Sequence, residues 1–275
     1  MQFSTKVETV RAPFTIEPCE EMLFVGSCFA DNMGRRFVAE RFRATVNPRG
    51  VMYNPASVWH TVAAIDAAPR VAVLTLGTNH VYILNETGEI VDNCMKRPQR
   101  LFTERELTVD ECADYLDRTI DLLQERRPDV RVVLTVSPIR YAKYGYHGSR
   151  LSKAVLLLAA DRVERRRPDV VSYFPAYEIM NDELRGYRFY AADMLHPSEQ
   201  AVEYIWQRFG ETFFSDRTRR FLEEYRPVRE AINHRPFNPD GEEYKAFMRR
   251  TLLKARELEN KYDGFVVPHI LIHNS

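Results

Sequence analysis

Met22-Leu23-Phe24-Val25-Gly26-Ser27-Cys28-Phe29-Ala30 is the stretch on which the reading turns. Met22 to Val25 is a short apolar run that stops at a glycine, which suits a strand covered on both faces. Gly26 permits a tight turn out of that strand. From Phe29 to Phe42 the apolar residues take helical spacing, with Arg and Glu on the outer face. Ser27 and Cys28 therefore fall at a strand-to-helix junction. Helix N-termini carry unpaired N–H groups and the positive end of the helix dipole, which favour a thiolate or an oxyanion. The plainer reading makes Ser27 a helix cap and Cys28 a packed small thiol.

The alternation continues outward. Asn47-Pro48-Arg49-Gly50 reads as a loop, and Asn54-Pro55 starts a helix through Ala64. Val71 to Leu76 is a second strand, ending at Gly77-Thr78-Asn79. Val81 to Leu84 and Glu89 to Val91 flank Thr87-Gly88 and predict a hairpin. Thr108 and Glu111 form a capping box that opens a helix to about Arg126. Val132 to Val136 is a third strand, closed by Ser137-Pro138, and a helix from about Ser149 to Arg166 follows. Val170 to Phe174 is a fourth strand. Ser198 with Glu199 starts a helix to Phe213. Strands alternating with helices predict an α/β domain with a parallel sheet covered on both faces. After Ser215 the pattern changes to charged helices, roughly 216–232 and 240–260. The expected division is a domain over 1–215 and a helical C-terminal extension over 216–275 that packs on it.

Composition narrows the function. Lys+Arg and Asp+Glu both total 39 in 275 residues, so the basic excess of a nucleic-acid binder is missing. Apolar residues make up 45%, enough for a sizeable core without disulfides. Cys19, Cys28, Cys94 and Cys112 form no CxxC pair and no zinc spacing, so no metal site is expected. The stretch Met1 to Phe14 lacks the apolar segment of a signal peptide, and no run is long enough to span a bilayer. A reducing, cytoplasmic setting is the expectation.

Asp193-Met194-Leu195-His196-Pro197-Ser198 lies just before the last α/β helix. An Asp three residues before a His can fix the imidazole tautomer and stabilise its charged form. In open parallel sheets ligands bind beyond the carboxyl ends of the strands. A strand-end Ser or Cys opposite an Asp-x-x-His suggests nucleophilic acyl chemistry, with His196 as base and Asp193 orienting it.

These segments carry a resemblance. The chain resembles the GSCFA family through Gly26-Ser27-Cys28-Phe29-Ala30, Thr75-Leu76-Gly77-Thr78, Asn93-Cys94-Met95-Lys96, Leu134 to Arg140, Ser152-Lys153-Ala154, and Tyr187 to Tyr190 leading into Asp193 to Ser198. The resemblance covers about residues 15–215. In block order that family is similar to the SGNH hydrolases, which implies a three-layer, flavodoxin-like fold. It also implies a catalytic block at Gly26-Ser27-Cys28, an oxyanion glycine at Gly50, a Gly-x-Asn at Gly77-Thr78-Asn79, and the Asp193–His196 pair. Aligned on Gly26 the nucleophile is Cys28, the favoured register. Some capsule-polysaccharide acyltransferases look similar there, with Gly-Asn-Cys. Aligned on the serine it is Ser27. His80 and Arg140, beside strand ends, are candidate substrate contacts.

The function expected is an esterase or O-acyltransferase acting on O-acyl groups of a small molecule or carbohydrate. No cofactor is required, and an acyl-CoA is the candidate donor if the reaction is a transfer. The alternative is a non-catalytic carbohydrate-binding or scaffolding protein that retains the fold.

Overall fold

The computed structural model describes residues 5–9 and 12–273. Part of the Met1 to Phe14 stretch therefore lies outside the described residues. In chain order the first half holds β1 (Glu21–Gly26), α1 (Cys28–Ala39), β2 (Arg43–Val46), α2 (Pro55–Ala63), β3 (Val71–Leu76), β4 (His80–Leu84), β5 (Ile90–Val91), β6 (Phe102–Glu106) and α3 (Val109–Arg126). The second half holds β7 (Arg131–Val136), α4 (Gly145–Arg166), β8 (Val171–Tyr173), α5 (Ala176–Glu178), α6 (Glu199–Phe213), α7 (Asp216–Asn233), α8 (Glu242–Lys261) and α9 (His269–His273).

The main sheet has five parallel strands in the order β2-β1-β3-β7-β8. This is the flavodoxin-type order, a three-layer α/β fold, and the chain reverses direction between β1 and β3. Every residue of β3 is buried, as a central strand covered on both faces requires. β2 was not foreseen. Its four residues, Arg43-Ala44-Thr45-Val46, alternate between exposed and half-buried at the sheet edge, so they show no apolar run.

The sheet sorts its side chains by parity. Leu23, Val25, Leu74, Leu134 and Val136 face α2, α3 and α4, where Leu116, Ile120 and Leu156 complete an aliphatic core. Phe24, Val73 and Val133 face α1 and α6. That second core is aromatic: the Phe37 ring lies 5.0 Å from Phe24 and 4.4 Å from Trp206.

The expected hairpin is present as β4 and β5, but a third strand joins it. β6 pairs antiparallel with β4, giving the order β5-β4-β6. Thr103, Glu104, Arg105 and Glu106 are all exposed, so β6 lacks the apolar alternation that marks a half-buried strand.

Helices α7, α8 and α9 form a third core around Phe221, Tyr225, Met248, Leu258, Tyr262 and Phe265. Cys19 belongs to this core, Arg41 donates to the Tyr225 hydroxyl at 2.9 Å, and Glu40 pairs with Arg229. The helical C-terminal part thus packs on the edge of the α/β part near α1 and β2. Among the described residues no helix is long and apolar enough to cross a membrane.

Candidate active site

The site begins where β1 ends. Gly26 has φ +144°, and a Cβ there would stand 2.1 Å from the Thr75 carbonyl oxygen on β3. Only glycine lets the two strand ends approach so closely. The Gly26 N–H donates to Asn47 Oδ1 at 2.9 Å, and Asn47 Nδ2 donates to Asp31 Oδ1 at 2.6 Å. The loop after β2 is thereby tied to both the strand end and the first turn of α1.

Ser27 and Cys28 have different surroundings. Ser27 is fully buried. Its N–H reaches Thr75 Oγ1 at 3.0 Å, its hydroxyl shares a hydrogen bond with that same oxygen at 3.1 Å, and its Oγ accepts from Phe29 N–H at 3.2 Å. It is the N-cap of α1. Cys28 is the first residue of α1 and half-buried, so its N–H has no intrahelical acceptor. Burial raises the Cys28 pKa above 9.0; the Tyr53 hydroxyl beside the thiol opposes this and the Asp31 carboxylate adds to it. The expected thiolate at the helix N-terminus is therefore not the resting state, because desolvation outweighs the favourable dipole.

The second corner is the Asp193–His196 turn. Asp193 Oδ1 accepts from Leu195 N–H at 2.9 Å and His196 N–H at 3.0 Å. Its Oδ2 lies 2.6 Å from His196 Nδ1. These bonds to the carboxylate, the backbone ones first, hold the Asp193 pKa down to about 2. Met194 adopts φ +59° inside the turn, a strained value for a residue with a side chain. With Nδ1 engaged, Nε2 of His196 is the nitrogen left to exchange protons.

Arg140 fixes where this turn sits. Its N–H donates to Leu195 O at 3.1 Å and its Nη1 to Met194 O at 3.0 Å. Arg140 follows the carboxyl end of β7, and Cys28 follows the carboxyl end of β1, so both corners lie at one end of a parallel sheet. Arg140 also stacks over Tyr146, 3.9 Å from the ring centroid, so it braces the turn rather than standing free. Among the described residues no hydrogen bond joins Cys28 to His196.

The remaining expected contacts are dispersed. The Gly50 N–H closes a turn onto Asn47 O at 2.8 Å, which departs from the oxyanion role expected of it. Asn79 departs likewise: its Nδ2 donates to Leu107 O at 2.7 Å and its N–H to Ser152 Oγ at 2.9 Å. Gly77 N–H donates to Tyr53 O at 2.8 Å, and its carbonyl accepts from Lys153. His80 lies flat against Tyr144, with ring centroids 3.6 Å apart, and burial lowers its pKa.

Tyr53 and Tyr141, near Cys28, were not singled out from the sequence, and Lys153 entered there only as part of the family resemblance. Lys153 is fully buried without a carboxylate, and burial lowers its pKa to about 7. It donates to Gly77 O at 2.6 Å and Ser137 O at 2.8 Å, clamping the ends of β3 and β7. A signal existed, since Lys153 falls on the buried stripe Ser149, Ser152, Leu156, Ala159, Ala160, Val163 of α4. Beside these residues a cavity of about 580 Å³ opens between the small sheet and the strand ends. Tyr53, His80, Tyr82, Tyr141, Lys143 and Tyr144 are among its lining residues. Among the described residues no group of three or more His, Cys, Asp and Glu could hold a metal ion.

The GSCFA family matches residues 21–69 and 63–209, and the C-terminal domain of GSCFA domain proteins matches residues 226–267. No curated protein matches the chain significantly. Similar solved structures include a catalytic mutant of an acetylxylan esterase from Geobacillus stearothermophilus, at 13% identity and TM-score 0.47, covering 72% of this chain and 96% of that one. A mutant acetyl esterase solved with an acetate ion is similar at 10% identity and TM-score 0.40, covering 78% of this chain and 99% of that one.

Proposed function

The chain belongs to the GSCFA family, and from that premise we propose that it is an acyl-transfer enzyme with Cys28 as nucleophile, His196 as base and Asp193 as the group that orients the base. The observation that carries this reading is the division of labour at the corner after β1. Ser27 spends its hydroxyl on capping α1, while the neighbouring thiol stands half-exposed at the helix N-terminus.

The chemistry follows from the resting charges. A thiol held above its ordinary pKa needs a base. Substrate entry releases the thiol from Tyr53, and His196 Nε2 takes its proton as Sγ bonds to the ester carbonyl carbon. The carbonyl oxygen becomes an oxyanion beside the Cys28 N–H in the first turn of α1. Collapse breaks the carbon–oxygen bond, and the imidazolium returns its proton to the departing alkoxide. The resulting thioester passes its acyl group to water in an esterase, or to a hydroxyl in an O-acyltransferase charged by an ester or an acyl-CoA. Asp193 stays ionised throughout, since its pKa is held near 2.

The substrate class is an O-acylated small molecule, of which a sugar suits the cavity best. Aromatic residues among its lining, such as Tyr53 and Phe102, suit the C–H surface of a ring, and Gln99 offers a polar group for a hydroxyl. All four cysteines are free thiols, in keeping with a reducing, cytoplasmic setting.

One observation favours the second reading, a carbohydrate-binding or scaffolding protein: Cys28 and His196 share no hydrogen bond in the resting structure. Catalytic hydrogen bonds often tighten only with substrate. The experiment that separates the readings is a screen of p-nitrophenyl and CoA esters, with and without sugar acceptors. The enzyme reading expects turnover that Cys28→Ala abolishes. The binding reading expects no turnover and sugar binding that survives Cys28→Ala.

A further inference from the structure

Acyl transfer needs a side-chain or second backbone donor for the oxyanion, and Gly50 and Asn79 have committed theirs to the fold. One other group near Cys28 is uncommitted. The Tyr141 hydroxyl is buried with no hydrogen-bond partner among the described residues. A buried hydroxyl left unpaired is unfavourable and rare enough to call for an explanation.

The fold makes room for this hydroxyl. A Cβ on Gly77 would stand 2.4 Å from Tyr141 Oη, so the glycine admits the phenol to the end of β3. Lys153 Nζ lies 5.0 Å from the Tyr141 ring centroid while it clamps Gly77 and Ser137 on either side. The Tyr141 N–H is held by Ser149 Oγ at 3.2 Å. The ring meets Tyr53 edge to face, at 5.8 Å and 89°, and the Tyr53 hydroxyl lies beside the Cys28 thiol. Both tyrosines line the cavity.

We propose that the Tyr141 hydroxyl is the side-chain oxyanion donor of this site, acting with the Cys28 N–H; the proposal rests on the acyl-transfer reading given above. As Sγ bonds to the carbonyl carbon and leaves Tyr53, the developing oxyanion takes the place beside Tyr141 Oη. The phenol donates a hydrogen bond and keeps its proton. When the leaving group departs the carbonyl double bond re-forms and the donor is free again. Burial, with the Tyr53 and Cys28 groups adding to it, holds the phenol pKa well above 10.0, so the hydroxyl stays a donor at working pH.

Tyr141→Phe tests this cleanly, because it removes one oxygen that bonds to nothing in the resting protein. The expected result is a kcat lower by about 10²- to 10³-fold on an activated ester, with KM little changed. Thermal stability should be equal to wild type or higher, because an unpaired polar atom has gone. A purely structural tyrosine gives the opposite pair of results, lower stability and unchanged kcat, and that would overturn the proposal. Acyl labelling of Cys28 separates the two failures. Labelling at the same rate in both proteins removes Tyr141 alone. No labelling of Cys28 in the wild type, with any ester tried, removes the acyl-transfer reading and the donor with it.

Discussion

The two corners at the carboxyl end of the sheet are built in opposite ways. The corner after β1 is closed: Gly26 is pressed against Thr75, Ser27 is fully buried, and the Cys28 thiol lies half-buried beside a tyrosine. The Asp193–His196 turn is open, with side chains 45% and 40% exposed. The closed corner protects a thiol by keeping it protonated. The open corner keeps a base in water with its tautomer already set. On the acyl-transfer reading proposed above, neither corner is reactive alone, and activation comes when a substrate excludes water and brings the two together.

Removing the open corner should have the larger effect. His196→Ala takes away the base that a raised thiol pKa makes necessary, and should lower kcat/KM by about 10³-fold or more. Asp193→Asn should cost less, about 10- to 100-fold, because an exposed pair is screened by water. Steady-state rates of the two variants on one ester check the order; an Asp193→Asn enzyme as slow as His196→Ala would contradict it.

Within the closed corner, Ser27→Ala should cost about 1 kcal/mol of stability through the lost cap, with turnover reduced only a few-fold. Urea melts and steady-state rates on the same preparation check both halves. Inactivity with unchanged stability would make Ser27 chemical and the comparison false.

The smallest effect on activity is expected beneath the corners, at Lys153. Burial holds its pKa at about 7, below the ordinary 10.5 that the unfolded chain recovers. Between those values the unfolded state binds more protons, so native stability rises with pH from about 7 towards 10.5. Lys153→Met should remove that rise and leave Gly77 O and Ser137 O without a donor. Melting temperatures measured across this range would show the slope in the wild type and its loss in the variant.

What could be read in the sequence follows the same physical division. Central strands announce themselves because both faces are buried, so β1, β3 and β7 stand out as apolar runs. The edge strand β2 and the exposed β6 are held by backbone pairing and carry no such pattern. The two corners were legible because glycine at a strand end and Asp-x-x-His before a helix are local signals. The oxyanion donors were not, since whether Asn79 faces the thiol or Leu107 is decided by chain nearly thirty residues away. Tyr53 and Tyr141 lie in separate loops, and only the fold brings their rings together. The resting charge of Cys28 was misjudged for a related reason: the helix dipole is visible in a sequence, whereas desolvation is a property of packing.

The most direct test of the account is to find where the acyl group goes. The protein is mixed with p-nitrophenyl acetate, quenched in acid within one turnover, digested, and the peptide containing residues 26–30 is fragmented by mass spectrometry. The account predicts one acetyl group on Cys28, labile to hydroxylamine and absent from Cys28→Ala. An acetyl group on Ser27, or turnover with neither residue labelled, would contradict it.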